Sequence, residues 1–342
     1  MINLFRFVAC AAALASIFAC NKVETPQIVE DQIPVTKAVL DNAPILSVYV
    51  ETNDVNPLNA CDYYLDETGG NLIDIVELFA ANIHKDTEGN PTLYLNDKLT
   101  NILENGGVNT YVRPLQELGI RVLLTNLGDH QAIGLANMSN TQADQFATIL
   151  AAVVKHYGLD GIGFDDEYAD YPVFVNGVNS TSYSRILTKL HELYVQYNMS
   201  NKLITVFDWG NTNTINSTAS SYIDYTYHGY FGSYRDISTK NISGMDKARW
   251  SPISFNLGNS YTTSTVQNYA SRAKNEGYGA MMCFNLRTRN DNDPLPVFQA
   301  ISNGAYEGMT VVCDNGNRNR DAAIAPAGFT ITYNMALTWL AE

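Results

Sequence analysis

The sequence predicts a closed barrel of parallel strands with intervening helices, the (β/α)8 or TIM barrel, carrying a short C-terminal extension. Three observations predict it. Eight apolar, β-branched runs recur between residues 45 and 305. Stretches of helical period lie between several of them. No phosphate-cradling glycine loop follows the first run, which disfavours the alternative, a doubly wound sheet.

The expected strands are Ile45–Val50, Leu72–Phe79, Ile120–Asn126, Gly161–Asp166, Leu203–Phe207, Ile223–His228, Ile253–Asn256 and Ala280–Asn285. The expected helices include Thr141–Tyr157, Ser182–Tyr197 and Thr263–Glu276. In the first of these, Phe146, Ile149, Leu150 and Val153 repeat at helical spacing. Gly158 closes that helix and Asp160 opens the next strand. The barrel is expected over residues 44–305 and the extension over 306–342. In the extension, Asp314-Asn315-Gly316-Asn317 reads as a turn and Gly328–Tyr333 as a strand, which suggests a small appended hairpin.

Residues 1–19 read as an export signal. Arg6 is the only charge, and the largely apolar run of 13 residues from Phe7 to Ala19 is too short to span a bilayer. Ile17-Phe18-Ala19-Cys20 resembles a bacterial lipobox, with Cys20 as the lipidated residue; a plain secretory signal cut nearby is the alternative. Loss of residues 1–19 leaves 20 basic and 35 acidic residues, a charge of 20 − 35 = −15. Residues 20–43, with Pro26 and Pro34, read as a tether. An exported lipoprotein held to a membrane by its lipid alone is the expectation; no oligomer is indicated, so a monomer is expected.

The whole chain of 342 residues carries 21 − 35 = −14 formal charges, which argues against nucleic acid as a partner. Its 21 Tyr against three Trp suit a polar, aromatic-lined surface. Of five Cys, Cys10 leaves with the signal and Cys20 is taken by lipid. The remaining Cys61, Cys283 and Cys313 have no metal-site spacing and read as small buried fillers.

The chemistry concentrates in Leu159-Asp160-Gly161-Ile162-Gly163-Phe164-Asp165-Asp166-Glu167-Tyr168. Alternation along a strand puts Gly161, Gly163, Asp165 and Glu167 on one face and Ile162, Phe164 and Asp166 on the other. If the odd face points inward, Asp165 and Glu167 stand about 7 Å apart at the C-terminal mouth, where barrel active sites lie. Two neighbouring acids cannot both ionise cheaply, so one is kept protonated as a general acid. The competing reading is a solvated loop whose acids cap the next helix. Asp166 reads as structural.

This stretch resembles the signature of glycoside hydrolase family 18, Asp-Gly-x-Asp-x-Asp-x-Glu, on the fourth strand of a barrel. Asp160, Gly161, Asp165 and Glu167 match, and Gly163 replaces the middle Asp. The wider wording is similar to the bacterial endo-β-N-acetylglucosaminidases of the F and H type. Leu78–Ile83, Val122–His130 and Tyr222–Tyr234 are similar to their second, third and sixth strands, so the resemblance covers about residues 45 to 305. It implies cleavage between the two GlcNAc residues of the N-glycan core, on high-mannose or hybrid glycans, with the substrate acting as its own nucleophile. It implies Glu167 as general acid and then base, Asp165 as the group that orients the 2-acetamido N–H, and Tyr230 as a hydrogen-bond donor to the acetamido oxygen. No metal or cofactor is implied. Gly163 cannot share a proton with Asp165 as the missing Asp would, which bears on the pH optimum and the rate.

Asn82, His130, His228 and Asn285 sit at expected strand ends and are candidates for sugar contact, each with a structural alternative. Asp208-Trp209 follows the fifth strand and offers a sugar-stacking surface. Trp250 and Trp339 read as packing residues. Two other functions compete. One is a catalytically silent surface glycan-binding protein on the same barrel, against which stands retention of Asp165, Glu167 and Tyr230. The other is a chitinase, against which stands Met281–Leu286, lacking the Trp chitinases place on the barrel floor.

Overall fold

In the computed structural model, the described residues are 40, 42–173, 177–314 and 323–342, all within one unit spanning 34–342. The expected signal segment, Cys20 and nearly all of the expected tether lie outside them.

Nine parallel strands form the barrel: β1 (Ile45–Glu51), β2 (Ile75–Lys85), β3 (Arg121–Gly128), β4 (Gly161–Phe164), β5 (Leu203–Asp208), β6 (Tyr225–His228), β7 (Trp250–Ser251), β8 (Ser254–Asn256) and β9 (Ala280–Phe284). Their order is β8-β9-β1-β2-β3-β4-β5-β6-β7, so neighbours in sequence are neighbours in space. The expected seventh strand, Ile253–Asn256, is β8; a further two-residue strand, β7, precedes it across Pro252, which has no N–H to give the ladder. The seam closes where Phe231 bridges Ser254 and Ser254 Oγ donates to His228 O at 2.7 Å. The second strand begins at Ile75, later than expected, and runs on to Lys85.

Alternation divides the packing. Even-numbered residues such as Val48, Val76, Leu124, Ile162 and Val206 pack outward in the main core. Odd-numbered residues such as Tyr49, Phe207 and Tyr227 fill the barrel interior together with Met282.

Four helices longer than ten residues cover the outside among the described residues: α1 (Asn140–Tyr157), α2 (Ser182–Gln196), α3 (Thr263–Asn275) and α4 (Leu295–Ala305). The other crossovers use short helices or 3-10 turns. The segment between β6 and β7 lacks apolar helical periodicity, so only two 3-10 turns form there. α1 starts on a capping box in which Gln142 N donates to Ser139 Oγ and Ser139 N to Gln142 Oε1. It ends at Gly158, held at φ 61, with Arg113 donating to Tyr157 O and Gly158 O at 2.9 Å each.

One device recurs at the foot of the barrel. Asp74, Asp160 and Asp224 each precede a strand and accept from a backbone N–H of the strand before: Leu46 at 2.7 Å, Val122 at 2.9 Å and Ile204 at 2.7 Å. Asp160 also faces Lys202 and Arg121. The first Asp of the fourth-strand motif thus pins β3 to β4, far from the mouth.

The extension does not form a hairpin. Val311–Cys313 pairs antiparallel with Tyr63–Leu65, and Phe329–Ile331 pairs antiparallel with Pro91–Leu95. A helix absent from the sequence reading, α5 (Tyr333–Ala341), then packs on α1. Trp339 stacks on His156 with ring centroids 3.9 Å apart, and Lys155 Nζ donates to the carbonyls of Trp339 and Leu340 at 3.2 Å. Each terminal strand has an available edge elsewhere, so neither needs the other. Of the three cysteines expected to be buried, Cys283 is buried in the core, whereas Cys61 and Cys313 are only partly buried, and no helix among the described residues is long and apolar enough to cross a membrane.

Candidate active site

The C-terminal mouth of the barrel opens into a cavity of about 530 Å³. Asp165 and Glu167 stand in its wall, together with Glu51, Asn53, Asn82, Asn96, Tyr168 and Trp209. Its floor is aromatic. Tyr49, Phe79, Phe207, Phe231 and Phe284 touch one another with ring centroids 5.4 to 6.5 Å apart. These rings stand at alternate positions on five different segments, so only barrel closure brings them together.

β4 ends at Phe164, short of the expected Asp166, and the acids follow in the loop just beyond it. Asp165 is buried at 3% exposure, and its Oδ1 has no hydrogen-bond partner. Burial pushes its carboxyl well above the usual range, and the charges of Glu167 and Asp166 add to this. Glu167 is half-buried; burial raises it too, with Asp166 contributing. Asp166 points the other way. It accepts from Tyr171 Oη and from the backbone and side-chain N–H of Asn211 at 2.8 Å. That ties the loop after β4 to the loop after β5 and fixes the backbone from which Asp165 and Glu167 project.

The mouth loops hold strained backbone. His130, Ala132, Tyr168, Asp170 and Asn285 all have φ between 50° and 62° without being glycine. The loops after β3 and β4 are zipped by Gly128 N to Glu167 O at 3.1 Å and His130 N to Tyr168 O at 2.7 Å. This pairing holds Glu167 over the cavity.

Of the sequence-derived candidates, Asp165, Glu167, Asn82 and Trp209 line the cavity together. Five do not. His130 sits outside, paired with Asp170 at 2.9 Å. Asp208 is buried behind β5, where it accepts from Thr212 Oγ1 and Asn241; as an even-numbered strand residue it faces outward. His228 is buried, and its Nδ1 accepts from Tyr230 N at 3.0 Å. Burial lowers its pKa to about 4, so it is neutral. Asn285 turns from the lining in left-handed backbone. Tyr230 is half-exposed. Its ring carries the Arg235 guanidinium 4.4 Å from the centroid and meets Trp209 edge-on with centroids 5.3 Å apart. Gly229 and Phe231 line the cavity on either side of it.

The sequence reading missed Glu51, Tyr49 and the phenylalanine floor. Their signal was there: large aromatics at inward, period-two positions near strand ends. It also missed Glu77, a lone charge inside the apolar run Ile75–Phe79, which is rare in a buried strand unless it has a purpose. Among the described residues, no group of three or more His, Cys, Asp or Glu is arranged to hold a metal ion.

No family model matches the chain. Endo-β-N-acetylglucosaminidase F1 of Elizabethkingia meningoseptica is 33% identical over 289 residues, covering 80% of this chain and 81% of that protein. An endo-β-N-acetylglucosaminidase of Flavobacterium sp. (strain SK1022) is 34% identical over 273 residues, covering 78% and 81%. Among solved structures, EndoBT-3987 of Bacteroides thetaiotamicron is similar. It was crystallised with Man5GlcNAc product and with Man9GlcNAc2Asn substrate, each superposing at TM-score 0.68 with 29% and 28% identity. The match covers 83% of this chain but 66% and 71% of those solved chains, which are longer. Likeness at this level across four-fifths of both relatives has a direct consequence: this chain belongs to the endo-β-N-acetylglucosaminidase family of glycoside hydrolases.

Proposed function

We propose that the protein hydrolyses the GlcNAc-β1,4-GlcNAc bond of the N-glycan core, on high-mannose or hybrid glycans, with retention of configuration. One observation carries the mechanism: Asp165 is buried with an unpartnered Oδ1 beside a half-buried Glu167 whose carboxyl is biased to keep its proton. A buried carboxylate oxygen needs a donor. A substrate acetamido N–H supplies one, and that bond favours the charged form of Asp165 when substrate is in place.

The steps follow. Glu167 protonates the glycosidic oxygen as it leaves C1. The acetamido oxygen closes on C1, and the positive charge on the resulting oxazolinium is stabilised by Asp165 in a low-dielectric site. Glu167 then takes a proton from the incoming water as the water oxygen bonds to C1 and the acetamido oxygen leaves it, which restores the acetamide and releases the sugar with its configuration retained. The aromatic floor receives the acetamido methyl and the apolar sugar face, while Trp209 and Tyr168 offer stacking surfaces at the rim. Tyr230 reaches the acetamido oxygen only after its side chain leaves its contacts with Arg235 and Trp209. The glycans crystallised with EndoBT-3987 support the high-mannose class here. Retention of both acids in a formed cavity supports an enzyme over a silent glycan-capture protein on this barrel.

The test is mass spectrometry of a high-mannose glycoprotein treated with this protein or with Glu167→Gln. Wild type is expected to leave one GlcNAc per site, and the variant to lose at least a hundredfold in rate, the usual scale for a general acid. Cleavage at wild-type rate by the variant would sink the assignment of Glu167. A complex-type glycoprotein in parallel decides the glycan class. The same proposal anchors the chain: the apolar run to Ala19 and Cys20 support export and lipidation, with attachment to a membrane through lipid alone.

A further inference from the structure

Beneath the cavity floor lies a carboxyl that the steps above do not use. Glu77 points inward from β2 and is fully buried. Its Oε2 accepts from Thr125 Oγ1 at 2.9 Å and its Oε1 from Thr205 Oγ1 at 2.5 Å. Those two threonines are the register partners of Gly163 on either side. The carboxyl therefore lies across Gly163, where an added Cβ would stand 2.3 Å from Oε2. The backbone at Gly163 is not left-handed, so it is the space filled by Glu77 that demands glycine. Gly163 is the inward position two residues before Asp165, and Glu77 thus lies one step below Asp165 along the barrel.

Around it stand Tyr49 of β1, Thr125 of β3, Thr205 of β5 and Tyr227 of β6, and Asp165 holds the next inward position above Gly163 of β4. Met282 of β9 packs against the two tyrosines. Tyr49 and Tyr227 both feel the Glu77 charge, and Tyr49 feels Asp165 as well. The buried Tyr49 hydroxyl has no hydrogen-bond partner. Among the described residues no Lys or Arg acts on Glu77, and burial pushes it up to about 7. Two hydroxyl donors ease its charge without neutralising it.

We propose that Glu77 is a positioning carboxyl of this active site: while it holds a proton, Asp165 can carry the negative charge beneath the reacting acetamido group, and when it loses that proton catalysis falls. This rests on the roles proposed for Asp165 and Glu167. Two charges in one dry barrel interior repel, so ionisation of Glu77 forces Asp165 toward its neutral form.

The experiment is the pH profile of glycan release by the full chain, wild type against Glu77→Gln, each normalised to its own maximum, with Glu167→Gln as the blank. Gln keeps one acceptor oxygen, places an NH2 group where the protonated carboxyl would carry its O–H, and never ionises. The alkaline limb is expected to move upward, so that at pH 8 the variant keeps up to about tenfold more of its maximum than wild type does. If Glu167 alone sets that limb, removing a negative charge below it leaves the limb in place or moves it down, and either result overturns the proposal. A second measurement needs neither catalysis nor that variant: carbon NMR of the labelled Glu77 carboxyl in wild type and in Asp165→Asn. Loss of the Asp165 charge is expected to lower the pH at which Glu77 titrates; an unchanged titration overturns the proposal. Should wild type cleave nothing while the two carboxyls still titrate together, the fault lies with the roles given to Asp165 and Glu167 rather than with their coupling to Glu77.

Discussion

Tyr230 shows how little of a side chain's role its position in the sequence decides. It lies between two cavity-lining residues, yet its ring is held by the Arg235 guanidinium and by an edge-on contact with Trp209. A cation over a tyrosine face and an edge-on aromatic contact contribute on the order of 1 kcal/mol each at a half-exposed site. That is small enough for substrate binding to overcome. Two variants separate the hydroxyl from the ring. Tyr230→Phe keeps the stacking and removes the donor; kcat is expected to fall about a hundredfold with KM little changed, as for loss of one transition-state donor. Arg235→Ala frees the ring while leaving the hydroxyl, and is expected to retain most of kcat. Equal losses in both would show that these ring contacts, rather than a swing of Tyr230, matter.

At the scale of elements, the barrel foot depends on the three aspartates that accept from the preceding strand. Asp74, Asp160 and Asp224 each serve an otherwise unpaired N–H at the start of a strand pair. Removing such an acceptor leaves a buried donor and costs about 1–3 kcal/mol. Asp74→Ala is expected to lower the denaturation midpoint by that amount while leaving the pH profile of catalysis unshifted, because the foot is a barrel length away from the mouth. A shifted profile would show that the foot and the acids are coupled. Asp160 belongs to the motif by sequence but to this group by structure: a pattern that reads as one catalytic run is half scaffold. The same holds for Asp166, whose partners Tyr171 and Asn211 set the loops rather than touch the cavity.

At the scale of the whole molecule, two buried groups pull stability in opposite directions over nearly one pH range. His228, lowered from 6.5 to about 4, is neutral when folded and protonated when unfolded between those values. The unfolded chain then binds more protons, so stability rises with pH through that window and is lost as pH falls through it. Glu77, raised from 4.5 to about 7, is protonated when folded and ionised when unfolded between those values. Here the folded chain binds more protons, so stability falls as pH rises. Glu77→Gln removes the second slope. Its stability relative to wild type is expected to grow between pH 4.5 and 7 and then level off, by about 3 kcal/mol in all, as read by denaturant midpoints at constant m. Parallel curves for the two proteins would show that Glu77 keeps an ordinary carboxyl pKa.

The barrel, three long helices to within about a residue at each end, and the pair of acids at the end of the fourth strand are legible along the chain. Each of these is a local pattern: period two, period 3.6, a cap, or acids two apart on one face of a strand. Only the tertiary structure decided which polar residues meet. Asp208, His130 and Asn285 stand at or near strand ends yet miss the cavity, because face and loop geometry, not distance along the chain, set their direction. Glu77 and Gly163 are 86 positions apart in sequence (163 − 77), and nothing local says that one fills the space of the other. The terminal strands likewise looked like partners for each other, but edges at Tyr63–Leu65 and Pro91–Leu95 were already waiting. Local order is written along the chain, whereas the chemistry of a barrel is written across it, between strands that only closure makes adjacent.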